Sequence, residues 1–124
     1  MKKVLIVEDN KDNLRLITYA LQRAGYEVVP AETGEDGVLA AGQETPDFII
    51  MDINLPGMDG IETTRRIREM QSTAEVPIIA ITSYAMAGDR ERILDAGCDG
   101  YLEKPIDPIR IVAQIEQMLT RRSP

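Results

Sequence analysis

The sequence predicts an α/β domain: a doubly wound, five-stranded parallel sheet, strand order 2-1-3-4-5, with five helices on its two faces. Three observations lead there. The 124 residues suit one domain with one core, spanning 1–124. Three short apolar runs, Val4–Val7, Phe48–Met51 and Val76–Ile81, lack polar alternation, so both faces of those strands are buried. Between the strand-like segments lie helix-length stretches with apolar residues every three or four positions.

The elements follow in strict β-α alternation. After the first strand, Leu14, Ile17 and Leu21 line one helix face, with Asn10 as N-cap and Gly25 as the stop. A weaker strand spans Glu27–Ala31, and a second helix begins at Thr33, where Asp36 takes the acidic place of a capping box, and ends before Pro46. The third strand leads through the Pro56-Gly57 turn to a helix capped by Asp59 that carries Ile61, Thr64, Ile67 and Arg68. A fourth helix, about Met86 to Ala96, follows the fourth strand and stops at Gly97. A short strand, Gly100–Glu103, precedes a last helix with Ile111, Val112, Ile115, Met118 and Leu119 on its inner face. Right-handed crossovers leave few ways to wind such a chain, and ligands then sit beyond the carboxyl ends of the first and third strands.

Charge and composition exclude several functions. With 14 Lys and Arg against 21 Asp and Glu, the net charge of -7 disfavours nucleic acid and anionic membrane surfaces as partners. Histidine is absent, which removes Ser-His-Asp and Cys-His nucleophiles, His-ligated metals and any phosphohistidine on this chain. The lone Cys98 cannot form an internal disulfide, and the four apolar residues before Glu8 are too few for a signal segment or a membrane span. A cytoplasmic location is the expectation.

In this topology the polar residues just after the buried strands share one sheet edge: Glu8 and Asp9, Asp52, Thr82 and Ser83, and Lys104. Any one of them alone is accounted for as a cap or a turn residue. Asp52 is different, because it lies inside Ile49-Ile50-Met51-Asp52-Ile53, where an isolated carboxylate would cost several kcal/mol to desolvate. Glu8 and Asp9 beside it would repel it unless a divalent cation neutralises the group, and an all-oxygen ligand set points to Mg²⁺. Such a site, with a lone nucleophilic Asp52 opposite Lys104 and a hydroxyl, has the parts for phosphoryl transfer to a carboxylate.

Glu8-Asp9-Asn10, the Asp52 strand followed by Leu55-Pro56-Gly57-Met58-Asp59-Gly60, Thr82-Ser83 and Lys104-Pro105 resemble the motif set of the receiver domain of two-component response regulators. Ala85 to Asp89 and Ala96 to Tyr101 look like DivK-type single-domain regulators and hybrid-kinase receivers. The resemblance implies that Asp52 is the phospho-acceptor. Asp9, Asp52 and the backbone carbonyl of Asn54 would bind Mg²⁺, with Glu8 acting through water. Thr82 and Lys104 would hold phosphoryl oxygens, and the Lys104-Pro105 peptide would be cis. Tyr101 matches the switch aromatic that turns inward as Thr82 moves. Glu8 departs modestly from the family, where Asp is common. The domain is thus not an enzyme but an acceptor that assists its own phosphorylation and dephosphorylation. Its expected partners are a histidine kinase or histidine phosphotransfer protein as donor and an output protein of unknown identity that reads the fourth helix, fifth strand and fifth helix.

Two rival classes fail on particular residues. An aspartate-nucleophile phosphatase of the haloacid dehalogenase type needs a second Asp two residues after the nucleophile, and here Asn54 stands there. A flavodoxin-type cofactor module needs a phosphate-cradling first loop, whereas Glu8-Asp9-Asn10-Lys11-Asp12 would repel phosphate without a metal. A degenerate receiver acting only as a scaffold would lack acceptor or metal residues. The start at Met1 and the polar end favour a stand-alone regulator over a receiver excised from a hybrid histidine kinase.

Overall fold

The computed structural model describes residues 2–83 and 87–122. Five strands, β1 (Lys3–Val7), β2 (Glu27–Ala31), β3 (Phe48–Asp52), β4 (Ile78–Thr82) and β5 (Gly100–Glu103), form one parallel sheet in the order β2-β1-β3-β4-β5. The helices are α1 (Lys11–Arg23), α2 (Gly34–Glu44), α3 (Gly60–Glu69), α4 (Ala87–Ala96) and α5 (Ile111–Arg122), with a 3₁₀ turn at Gln71–Thr73. Apolar β1, β3 and β4 are the three interior strands, as their lack of alternation requires.

Helix starts follow from side-chain chemistry. Asn10, Thr33 and Asp59 accept hydrogen bonds from the backbone N–H of Asn13, Asp36 and Glu62, which satisfies donors with no partner inside their helices. Just past α1, Gly25 adopts φ 96°, a left-handed conformation open to glycine. The run Val76–Ile81 becomes a strand from Ile78 onward and extends to Thr82. Val76 and Pro77 lie before β4, because Pro77 has no N–H to donate to a ladder, although its carbonyl still accepts from Ile49 N.

Alternation along each strand sorts the core into two layers. Val4, Ile6, Phe48, Ile50, Ile79 and Ile81 pack against Ile17 and Leu21 of α1 and Ile111 and Ile115 of α5. Leu5, Val7, Ile49, Met51, Ile78 and Ala80 face Ala41 of α2, Ile67 of α3 and Ile93 of α4. Met118 packs half-buried on the first layer, while Met86 lies outside the described residues. Arg65, Arg66 and Arg121 are exposed helix positions. No helix of the described residues is long and apolar enough to cross a membrane.

Cys98 is buried against α3, its Sγ 3.7 Å from Thr64 Oγ1, and burial pushes its thiol up to about 11 despite that hydrogen bond. A thiol shifted from an ordinary value of 9.0 to about 11 carries about a hundredfold less thiolate at pH 8. The folded protein should therefore react with a chromogenic disulfide reagent at least that much more slowly than the denatured chain. The shift also favours the unfolded chain as pH rises from 9 to 11, where that chain alone releases the proton. Equal thiol reactivity before and after denaturation would place Cys98 at the surface.

Candidate functional site

The site is built where β1 and β3 end side by side. Val7 pairs with Met51, so Glu8 and Asp9 emerge next to Asp52 at the point where the order of strands reverses. One carboxylate oxygen from each of Glu8, Asp9 and Asp52 lies within 4.8 Å of the others. Glu8 and Asp52 are each 1% exposed, while Asp9 is exposed and reaches the cluster from the solvent side.

Positive charge enters from β5. Lys104 Nζ donates to Asp52 Oδ1 at 3.2 Å and lies 3.8 Å from Glu8 Oε1. Its own N–H donates to the Thr82 carbonyl, and the Lys104-Pro105 peptide is cis. One ammonium cannot neutralise three carboxylates. Burial, a hydrogen bond shared with Asp52 and repulsion from its charge push the Glu8 carboxyl up to about 8, against the weaker pull of Asn10 N–H and Lys104. Glu8 Oε1 and Asp52 Oδ2 are buried without a hydrogen-bond partner. Two orphaned, inward-facing carboxylate oxygens beside a third carboxylate are suited to a hard divalent cation and unsuited to a soft one.

Backbone geometry holds Asp52 in place. Asn54 N donates to Asp52 Oδ1 at 2.9 Å, and the Asn54 side-chain oxygen accepts from Ser83 N at 3.0 Å, tying the acceptor loop to the start of the loop after β4. Thr82 is 1% exposed at the end of β4, beside β3. Tyr101 is half-buried on β5 opposite Ala80, and the Arg90 guanidinium lies 5.9 Å from its ring centroid. The structure thus brings Glu8, Asp9, Asp52 and Lys104 together, sets Asn54 against Asp52, and leaves Tyr101 one strand beyond Thr82. Residues 84–86, between Ser83 and α4, lie outside the described residues.

A family model for the response regulator receiver domain matches residues 4–116. The chain belongs to that family. This receiver is 38% identical over 118 residues to the polar-differentiation response regulator DivK of Brucella ovis, covering 95% of this chain and 96% of the relative. Its fold matches the Vibrio cholerae chemotaxis protein CheY4 with a TM-score of 0.91 at 30% identity over 95% of this chain and 98% of that one. It also matches the receiver of a Pseudomonas aeruginosa sensor histidine kinase, solved with a magnesium ion coordinated in its active site cleft. There the TM-score is 0.87 at 37% identity, over 96% and 98% of the two chains. Receivers bind Mg²⁺ at an acidic pocket, take phosphoryl groups from histidine kinases and signal to downstream partners. This receiver carries the acidic pocket at Glu8, Asp9 and Asp52.

Two features that shape the site are not anticipated by the sequence reading, which uses Asn54 for its backbone carbonyl and as a residue unable to act as general acid, and includes Gly60 only in a motif. The Asn54 side chain is one, a polar residue in a turn whose partner Ser83 is remote in sequence. Gly60 is the other. A Cβ there would strike the Asp52 carbonyl oxygen and stand 2.6 Å from Ile53 Cα, so the first residue of α3 must be glycine for the loop to close onto β3. Gly60→Ala should lower unfolding stability by about 1–3 kcal/mol through overpacking. Its amide chemical-shift changes should centre on residues 52–54. A variant as stable as the parent, with unshifted amides there, would show that the loop tolerates a side chain.

Proposed function

We propose that this receiver accepts a phosphoryl group on Asp52 from a partner phosphohistidine in a Mg²⁺-dependent reaction, and that the product changes the face formed by α4, β5 and α5. The observation that carries the reading is the pair of orphaned buried oxygens, Glu8 Oε1 and Asp52 Oδ2, beside Asp9 and Lys104. Asp9, Asp52 and the Asn54 carbonyl would hold the metal, with Glu8 acting through water. When bound, the ion supplies charge neutralisation for the phosphoryl oxygens.

The rest of the chemistry belongs to the chain. An Asp52 carboxylate oxygen attacks phosphorus in line, a P–O bond forms, and the donor's P–N bond breaks with its electron pair returning to the imidazole. Lys104, already on Asp52, moves onto a phosphoryl oxygen and balances its charge. The Thr82 hydroxyl turns to another oxygen, and Tyr101 takes the space it leaves. Asn54 cannot serve as the general acid-base that would speed hydrolysis, so the acyl phosphate persists long enough to signal. The donor docks beside α1, where half-buried Leu14 and exposed Pro105 border the site.

With acetyl phosphate and Mg²⁺, intact-mass measurement should show one added phosphoryl group. The addition should vanish in Asp52→Asn and in EDTA. Labelling that survives either condition would rule out Asp52 or the metal requirement. Asp9→Asn should weaken Mg²⁺ binding by roughly tenfold or more, the scale on which metal sites respond to altered ligation. Thr82→Ala should still be phosphorylated but should lose the accompanying shift of Tyr101, followed by NMR. A full Tyr101 response in Thr82→Ala would remove the hydroxyl from the switch.

A further inference from the structure

We propose that the Asn54 side-chain oxygen is a placeholder acceptor, holding the Ser83 N–H at the rim of the site until a phosphoryl oxygen on Asp52 takes it over. Asn54 is then a positioning residue whose side chain opposes the phosphoryl group; the inference rests on the reading of Asp52 as phospho-acceptor.

The bond is not the one that the sheet by itself would make. Between β3 and β4, Ile49 N and Ile53 N donate to the Pro77 and Ile81 carbonyls, with Asp52 opposite Ile81. In a parallel ladder of this register the next bond runs from Ser83 N to the Ile53 carbonyl. That carbonyl accepts from Gly60 N at 3.2 Å, a close approach that the missing Cβ of Gly60 permits. Ser83 N donates to Asn54 Oδ1 at 3.0 Å. The start of α3 has taken the strand's acceptor, and a side chain replaces it.

The diverted donor stays beside the acceptor carboxylate. Continuing the register places Ser83 opposite Asn54, and Asn54 N donates to Asp52 Oδ1 at 2.9 Å. Two backbone N–H groups therefore stand at one step of neighbouring strands, one on Asp52 and one on a neutral carboxamide. Asn54 and Ser83 are both exposed, so a change of partner requires no repacking of the core. A phosphoryl group adds about -1.5 to -2 charges and three strong acceptor oxygens. Hydrogen bonds to a charged acceptor are roughly twice as strong as those between neutral groups. The Ser83 N–H accordingly leaves Asn54 for the phosphoryl oxygen, and the bond given up counts against every phosphorylation.

Beryllofluoride affinity of the full chain at saturating Mg²⁺, read by NMR in the parent and in Asn54→Ala, tests this. The substitution keeps the backbone N–H and carbonyl of residue 54 and removes the competing oxygen alone. The variant should bind about fivefold more tightly, the scale of one neutral hydrogen bond. Its Ser83 amide should exchange with water faster at rest by a similar factor. In the parent, beryllofluoride should shift the Ser83 amide together with the Asn54 side-chain NH₂ signals. Affinity that is unchanged or weaker in Asn54→Ala overturns the proposal, because a bond that only steadies the loop weakens binding when it is lost. Equal Ser83 exchange in the two proteins also overturns it. Should Asn54→Ala unfold, Asn54→Leu, which keeps the shape without the acceptor, decides by the same sign. A parent that binds no beryllofluoride overturns the phospho-acceptor reading, and the proposal with it.

Discussion

The constraint on which the rest of the structure depends is the burial of Asp52 beside Glu8. A carboxylate at the end of an interior strand, flanked by Ile50, Met51 and Ile53, sits where water cannot solvate it. The surrounding elements compensate in part. Lys104 reaches across from β5, the Asn54 amide donates to Oδ1, and Gly60 lets the loop fold back tightly enough to aim that amide. What remains is excess negative charge with two unpartnered oxygens, and burial drives one of the two carboxyls, Glu8, toward holding a proton. A receiver in this condition is poised for a cation, which supplies the positive charge that the protein withholds.

The scaffold makes that condition tolerable. Both faces of β1, β3 and β4 are packed by helices, so the strand ends cannot drift apart to relieve the repulsion. Rigidity is not uniform along the chain. In α4, Ile93 and Ala96 are buried, while Gly88, Arg90, Glu91, Arg92, Leu94 and Asp95 are exposed. Signalling needs this combination, because a charge change at a rigid site has an effect at a distance when a neighbouring element has two arrangements of similar free energy.

Much of this was legible in the sequence. Val4–Val7 and Phe48–Met51 read as interior strands because nothing polar interrupts them, and Asn10, Thr33 and Asp59 announce their helices through capping chemistry. The convergence of Glu8, Asp9, Asp52 and Lys104 follows once the strand order is known. Val76 and Pro77 read as strand because hydropathy ignores the missing N–H of proline. The hydrogen bonds from Arg68 to the Gly97 carbonyl and the Asn54-Ser83 contact stayed hidden for a different reason. Each joins a side chain to backbone atoms many residues away, and no periodicity or spacing records which carbonyl an arginine will meet.

The central claim is that Asp52 is kept at a cost in stability for the sake of binding charge. Thermal unfolding of the parent and Asp52→Asn across a Mg²⁺ titration tests it most directly. Without Mg²⁺ the Asn variant should be the more stable of the two, because one of the repelling carboxylates is gone. Added Mg²⁺ should raise the unfolding temperature of the parent and do little for the variant. A parent that is already more stable in EDTA, with an unfolding temperature indifferent to Mg²⁺, would contradict the account.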